Sequence, residues 1–309
     1  MSTHNVGTVL IVGAGAIGTS WAADLLARGV SVVIAEPDEA VHAGARVRVT
    51  DYLGELGRDD AASTERLTFG TDLAEAASTA DLVIEAGPER LAVKREIFDV
   101  LDRHTAPEVL LTTSSSGLLI SRIAEGLTHP DRVLVAHPFN PPHLVPLVEL
   151  VGGTHTSATA LDQAEAFFGG IGKRTIRVGA EIPGHIVNRL QAALWREAYH
   201  LVDIGAATVA DIDTAIAWGP GLRWSLLGPF ATQHISGGGQ GIRHVLEHLG
   251  PPMVEWWEDL GAPELSPALV DRICAGVDDE LGLDDAPIRR RRDRALLELL
   301  SLKHAADLP

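Results

Sequence analysis

Four polar residues of this 309-residue chain have the types and surroundings for acid–base chemistry: Ser116, His137, Glu149 and Asn188. Ser116 lies in Thr112-Thr113-Ser114-Ser115-Ser116-Gly117, just after a short apolar run, and His137 follows another in Ala136-His137-Pro138-Phe139-Asn140-Pro141. Glu149 comes twelve residues after His137, and Asn188 sits early in a long helical periodicity. Oxidising an alcohol requires a base for the hydroxyl proton while hydride leaves the same carbon. Histidine suits that task because its unperturbed pKa lies near neutrality. A carboxylate bonded to its other nitrogen fixes the tautomer and stabilises the imidazolium that forms. Ser and Asn side chains can hold the oxygen as it becomes a carbonyl. Plainer readings stand beside these: a histidine before proline can cap a strand end, a serine run is a common turn, and Asn188 can bond within its own helix.

Such a constellation needs elements that bring it together. Residues 8–12 form a short apolar run bounded by glycine, which predicts a fully buried parallel strand. A helix is expected over 19–28, ended by Gly29, and a second strand over 30–35. Further strands are expected at 82–86, 109–112 and 133–136, with mostly helix between them. This alternation predicts an α/β fold, a Rossmann-like doubly wound parallel sheet, whose strand carboxyl ends would carry Ser116 and His137 to a cofactor crevice. After about residue 180 the strand-like runs stop. Pro183 is expected in the first turn of a helix that continues through Ile186, Leu190, Leu194 and Ala198 to about Ile204. Helices are also expected at 208–217, 241–249, 267–280 and 288–304. The expected domains are therefore 1–181, which binds the cofactor, and 182–309, which is all-helical.

The cofactor signal is a G-x-G-x-x-G formed by Gly13, Gly15 and Gly18, directly after the first strand and opening the first helix. The first glycine permits the tight turn, the second lets backbone approach a pyrophosphate, and the third allows close helix–strand packing. Free N–H groups at the helix start would meet the pyrophosphate. Glu36, 18 residues after Gly18, ends the second strand. A carboxylate there accepts hydrogen bonds from the adenosine ribose and repels the extra phosphate of NADP, so NAD is the expected cofactor.

Composition narrows the partners. Against 42 Asp and Glu stand 25 Lys and Arg, a net charge of −17. That balance argues against nucleic acid and against an anionic membrane surface. Apolar residues make up 46%, enough at this length for two domains with large cores. The single Cys274 supplies neither an intrachain disulfide nor a cysteine-based metal site, and no metal is expected. The start shows no leader pattern and no stretch has the ~18 apolar residues of a membrane span, which points to a soluble cytoplasmic protein.

With these residues in view, the sequence resembles the 3-hydroxyacyl-CoA dehydrogenase family over nearly its whole length. The family's glycine fingerprint matches Gly13, Gly15, Ala16, Ile17 and Gly18, and its catalytic Ser, His, Glu and Asn match Ser116, His137, Glu149 and Asn188. The resemblance implies a Rossmann-like first domain, a helical second domain that forms a homodimer, and a His–Glu general base. It also implies NAD contacts at Glu36, Glu89, Lys94, Ser116 and Asn140. Within the family, the stretches 136–142, 146–151 and 188–191 are similar to the lambda-crystallin subgroup, the L-gulonate 3-dehydrogenases. The segments 193–198, 221–225 and 262–265 resemble the L-carnitine dehydrogenase subgroup more strongly. Both subgroups oxidise the 3-hydroxyl of a free acid. Pro138 and Ser114 to Gly117 depart from the usual acyl-CoA pattern, which has His-Phe-Phe-Asn-Pro and Asn-Thr-Ser-Ser.

Charge bears on the substrate too. A CoA carrier is a polyanion, yet residues 37–80, where acyl-CoA members carry lysines, hold none, with four arginines against nine acids. The segment would repel CoA phosphates. The expected substrate is a small L-3-hydroxy acid of the gulonate or carnitine kind, with an L-3-hydroxyacyl-CoA as the alternative. Arg223 is a candidate clamp for the free carboxylate, with a surface ion pair as its plainer reading. Trp224, with Trp195, Trp218 and Phe139, offers aromatic faces for a quaternary ammonium, although tryptophan in a helical domain is more often packing. A non-catalytic NAD-binding protein is the alternative of another class; it predicts decay of the Ser, His, Glu, Asn set, and all four stand.

Overall fold

The computed structural model describes residues 6–58 and 61–308. Residues 1–5, Asp59 and Asp60 of the acid-rich stretch, and Pro309 lie outside them. The chain divides into two compact units, Met1–Arg189 and Leu190–Pro309.

The first unit begins with β1 (Thr8–Val12), α1 (Ala16–Ala27), β2 (Ser31–Ala35), α2 (Glu39–Glu55), α3 (Ala61–Glu65) and β3 (Leu67–Gly70). It continues through α4 (Leu73–Ala77), β4 (Leu82–Glu85), α5 (Leu91–His104), β5 (Leu110–Thr113), α6 (Ile120–Ile123) and β6 (Val133–Pro138). It closes with β7 (Leu147–Gly152), α7 (Ala158–Gly170) and β8 (Arg174–Val178). The eight strands form one sheet in the order β3-β2-β1-β4-β5-β6-β7-β8. Alternate side chains of β1 explain its continuous apolar sequence, since both faces are covered. Val9 and Ile11 join Trp21 and Leu25 of α1, Leu53 of α2 and Phe168 of α7 in one core. Leu10 and Val12 join Phe98 of α5 and Ile123 of α6 in the other.

Three strands were not among the sequence expectations. β3 and β8 extend the two edges, and β7 pairs antiparallel with β6, so the sheet is mixed rather than wholly parallel. β7 is an apolar run interrupted only by Glu149, bounded by Pro146 and by Gly152-Gly153. Its register with β6 sets His137 directly opposite Glu149. The long helix α8 (Val187–Asp203) starts later than Pro183. Gly184 and His185 take φ of +75° and +50°, in the left-handed region, so the helix cannot begin before them.

The second unit holds the rest of α8 and α9 (Val209–Trp218), α10 (Pro220–Trp224), α11 (Pro229–Ser236), α12 (Gly241–Asp259), α13 (Pro267–Leu281) and α14 (Ala286–Ala305). A capping box between Thr208 and Asp211 starts α9, and the Ser266 hydroxyl caps α13. The expected stop near Leu249 is not observed, because α12 runs on through Pro251 and Pro252. Of the described apolar side chains in this unit, only Val202, Val245 and Leu269 are buried. No helix among the described residues is long and apolar enough to cross a membrane.

Candidate active site

At the carboxyl end of β1 each glycine has a separate physical reason. Gly13 has φ +104°, and a Cβ there would stand 2.9 Å from the Ala86 carbonyl oxygen. A Cβ on Gly18 would stand 2.1 Å from the Gly13 oxygen. At Gly15 nothing of the protein lies within 4 Å of an added Cβ, so the protein's own packing does not demand glycine there. That bare backbone fits a pyrophosphate approaching from outside. Gly15 is also the N-cap of α1 and supplies no side-chain cap, which leaves the first helical N–H groups, at Ala16, Ile17 and Gly18, without intrahelical acceptors. The Ala14 peptide inside the loop is held at both ends. Its N–H donates to Glu36 Oε2 at 3.2 Å, and its carbonyl accepts from Arg48 at 2.8 Å. These residues fit a dinucleotide.

The β6–β7 register produces the tightest contact among the four residues expected to be catalytic. His137 Nδ1 lies 2.8 Å from Glu149 Oε2. An ionised carboxylate only accepts, so Nδ1 carries the proton and Nε2 keeps its lone pair. Glu149 Oε1 accepts from the backbone N–H groups of Ile186 and Val187, at 2.9 and 3.1 Å, just where α8 begins. Glu149 is fully buried. Burial alone would raise its pKa, but the His137 N–H and these two backbone donors outweigh it and hold the carboxyl below the ordinary glutamate range.

A second cluster gathers around the turn after β5. Glu89 Oε1 accepts from the Ser115 hydroxyl at 2.6 Å and from the N–H groups of Ser116 and Gly117. Partial desolvation of Glu89 opposes ionisation, yet Ser115, the nearby Lys94 ammonium and the two N–H donors bring its pKa down. Lys94 is buried and spends its charge on Glu85, at 2.7 Å, and on Glu89, at 3.5 Å. Asn188 Nδ2 donates to the Ser116 carbonyl at 3.2 Å, which joins two of the four expected residues through backbone rather than side chain to side chain. Asn140 lies exposed two residues beyond β6. Arg223 and Trp224 are exposed on α10 in the other unit, and the Arg223 guanidinium makes no ion pair among the described residues.

Sequence reasoning missed Glu85, Ser115 and His185. Glu85 is the last residue of an otherwise apolar strand, and a buried carboxylate there implies a buried cation; Lys94, nine residues on, is that partner. His185 is 2% exposed, with its ring centroid 5.3 Å from that of His137. The glycine before it was the available signal of a turn.

Residues 8–182 match the NAD-binding domain of 3-hydroxyacyl-CoA dehydrogenase, and residues 184–271 match its C-terminal domain. The chain is 44% identical over 305 residues to the L-carnitine dehydrogenase of Streptomyces coelicolor, covering 97% of this chain and 95% of that one. It is 40% identical over 306 residues to the L-carnitine dehydrogenase of Bacillus cereus, covering 98% and 94%. Among solved structures, a 5-formyl-3-hydroxy-2-methylpyridine 4-carboxylic acid 5-dehydrogenase, an NAD+-dependent dismutase, superposes with a TM-score of 0.82. Its sequence is 25% identical, and the match covers 97% of this chain and 99% of that one.

Proposed function

This chain belongs to the 3-hydroxyacyl-CoA dehydrogenase family of NAD-dependent oxidoreductases acting on CH–OH donors, and from that premise we propose that it oxidises the 3-hydroxyl of a small free acid, L-carnitine, to the 3-keto acid. The observation that carries the reading is the buried His137–Glu149 pair at 2.8 Å, oriented so that Nε2 is the basic nitrogen. His137 Nε2 takes the hydroxyl proton. Glu149 stays ionised, keeps the ring in the productive tautomer and stabilises the imidazolium. The Ser116 hydroxyl and the Asn188 amide hold the substrate oxygen as it becomes a carbonyl. NAD, when bound, accepts the hydride. The loop Gly13 to Gly18 would hold its pyrophosphate, Glu36 its adenosine ribose, and Ser116 and Asn140 the part nearer the reaction. Lys94 acts on that cofactor side through Glu89, whose charge it balances.

A free acid is supported over a CoA thioester by the charge around the second and third strands. Of the four arginines in 37–80, Arg46 donates to the Leu67 carbonyl and lies over the Phe69 ring, and Arg48 is committed to Ala14. Neither is a loose cation awaiting a polyphosphate. Arg223 is the proposed carboxylate clamp, and the exposed Trp195, Trp218 and Trp224 are proposed aromatic partners for the quaternary ammonium. Residues 1–181 are proposed as the cofactor domain and 182–309 as the domain for substrate and for a second copy of the chain. A cytoplasmic homodimer is the proposed working state.

The test is NADH production at alkaline pH over L-carnitine, L-gulonate, 3-hydroxybutyrate and 3-hydroxybutyryl-CoA. L-Carnitine should give the highest kcat/KM, by about a hundredfold over 3-hydroxybutyrate, which lacks the ammonium group. A preference for the thioester overturns the free-acid reading, and a preference for L-gulonate moves it to the other subgroup.

A further inference from the structure

Residues 185–188 join two parts of the site. The backbone N–H groups of Ile186 and Val187 are bound by Glu149, the partner of His137. The two side chains that flank them reach the other way. His185 Nε2 lies 3.1 Å from the Ser115 carbonyl oxygen, and Asn188 Nδ2 lies 3.2 Å from that of Ser116. Since a carbonyl only accepts, His185 Nε2 is the protonated nitrogen and Nδ1 carries a lone pair. That Nδ1 is buried and has no hydrogen-bond partner among the described residues.

This arrangement is costly if packing is its only purpose. A phenylalanine ring would fill the same space without leaving a buried acceptor unpaired, and an unpaired buried polar atom destabilises a fold. The backbone pays a second time, because His185 is a non-glycine residue at φ +50°, a conformation retained where the surroundings over-determine it. What the imidazole adds over phenylalanine is the Nε2–H bond to Ser115.

We propose that His185 is a positioning residue for the reaction: with Asn188 it grips the consecutive carbonyls of Ser115 and Ser116 and holds the serine turn in register with the His137–Glu149 pair. The inference rests on His137 being the base. The charge around His185 agrees with it. The ionisable groups that face it are His137 from β6, Glu149 from β7 and Glu89 from the segment after β4. Burial, above all, holds the His185 pKa below the usual histidine value, so the ring is neutral while His137 works. A neutral neighbour 5.3 Å away leaves the imidazolium at His137 unopposed, whereas a charged one would repel it.

The test compares His185→Phe, which removes the donor, with His185→Gln, whose amide nitrogen falls near the position of Nε2. Each is measured for kcat, KM and NADH affinity by protein fluorescence, with His137→Ala alongside. His185→Phe should lower kcat about tenfold while the NADH dissociation constant moves less than about twofold, and His185→Gln should recover to within about threefold of the parent. A merely structural role would give equal losses in both variants or a parallel loss of NADH binding, and either result overturns the proposal. So does a His185→Phe kcat within about twofold of the parent. Should His185→Phe fail to fold, His185→Gln decides alone: a loss of about tenfold or more in kcat overturns the proposal, and a loss within about threefold supports it. Turnover by His137→Ala would sink the base assignment. A dead His137→Ala beside a fully active His185→Phe would sink only the positioning role.

Discussion

In Met1–Arg189 the central strands β1, β4, β5 and β6 are almost wholly buried, and each face of the sheet packs on helices through its own core. In Leu190–Pro309 the helices bury three described apolar side chains, while Trp218 is 77% exposed, Phe230 76% and Trp257 63%. Helices α8, α12 and α13 are amphipathic, and large apolar side chains on them, such as Leu190, Trp256 and Val270, stay exposed among the described residues. Exposed apolar surface of this extent often marks an interaction site, and a second copy of the same unit is the proposed cover. The proposed acid–base pair and the proposed cofactor-side groups follow the same division. His137, Glu149, Glu89 and Lys94 sit in the unit with the closed core, where fixed geometry is available, and the proposed substrate and subunit contacts sit in the open one.

The sharpest way to break that division is His137→Ala. If the acid–base chemistry belongs to the sheet unit, kcat falls by about 10²–10⁴ while NADH binding stays within about twofold, as read by fluorescence titration. Persistence of turnover near the parent rate would remove the base from β6 altogether.

Packing offers the next contrast. Phe98, fully buried in the core on the α5 face, should cost about 3–5 kcal/mol when changed to alanine, and that loss should not depend on protein concentration. Trp257 is 63% exposed, so Trp257→Asp should disturb the fold less than a core change and show its main effect in assembly. Sedimentation should report monomer, and the rise of Tm with protein concentration expected of the parent should vanish. A parent that is itself monomeric would end the explanation of the exposed faces by a second copy.

The difference between the units also governs what was legible in the sequence. β1, β2 and the glycine loop were readable because burial on both faces makes a strand continuously apolar, and because the close approaches at Gly13 and Gly18 leave no room for a side chain. β8, whose residues Arg174-Thr175-Ile176-Arg177-Val178 are all exposed or half-buried and include two arginines, does not carry that signature. β7 was passed over for another reason, since Glu149 in mid-run looks like a break in an apolar strand. Its charge is tolerated there because His137 and two backbone N–H groups meet it, which is tertiary information. Hence Glu149 was found as a residue without the strand that delivers it. His185 was not found at all, because the contact that gives it meaning is with a carbonyl 70 residues away. In the helical unit, Gly250-Pro251-Pro252 reads as a stop and yet lies inside α12, and nothing in the structure explains why the helix continues.

Arg223→Met asks whether the open unit contributes to recognition. Losing one bidentate contact to a carboxylate should raise KM for L-carnitine about tenfold to a hundredfold with a smaller change in kcat, measured by initial rates at saturating NAD. An unchanged KM would assign the free carboxylate to another cation and leave α10 with no part in recognising the acid.

Acid sensitivity gives the smallest effect and the finest division. Glu89, Asp102 and Glu149, all in the sheet unit, are hydrogen-bonded, Asp102 and Glu149 in buried positions and Glu89 in a partly exposed one, and their pKa values lie below the ordinary carboxylate range because those partners outweigh desolvation. A group with a depressed folded pKa adds stability that is complete above its unfolded value and fades as pH falls through the folded one. For Glu89 and Glu149 the loss therefore starts below about pH 4.5, and for Asp102 below about pH 3.8. His185, depressed by burial, follows the same sign from its own ordinary value, so its loss begins below about pH 6.5. In the helical unit Glu280 runs the other way: burial and the nearby Asp213 raise its pKa, so it favours the fold on acidification. The sheet unit should accordingly lose amide protection first when hydrogen exchange is followed from pH 7.5 down to about 3.5. Over that range Tm should fall less in His185→Gln than in the parent, because the amide cannot take a proton. A stability change of about 1 kcal/mol moves Tm by only about 2–4 °C in a chain of this size, so the quantity to compare is the slope of Tm against pH. Identical slopes would mean that His185 carries no titration the fold can sense.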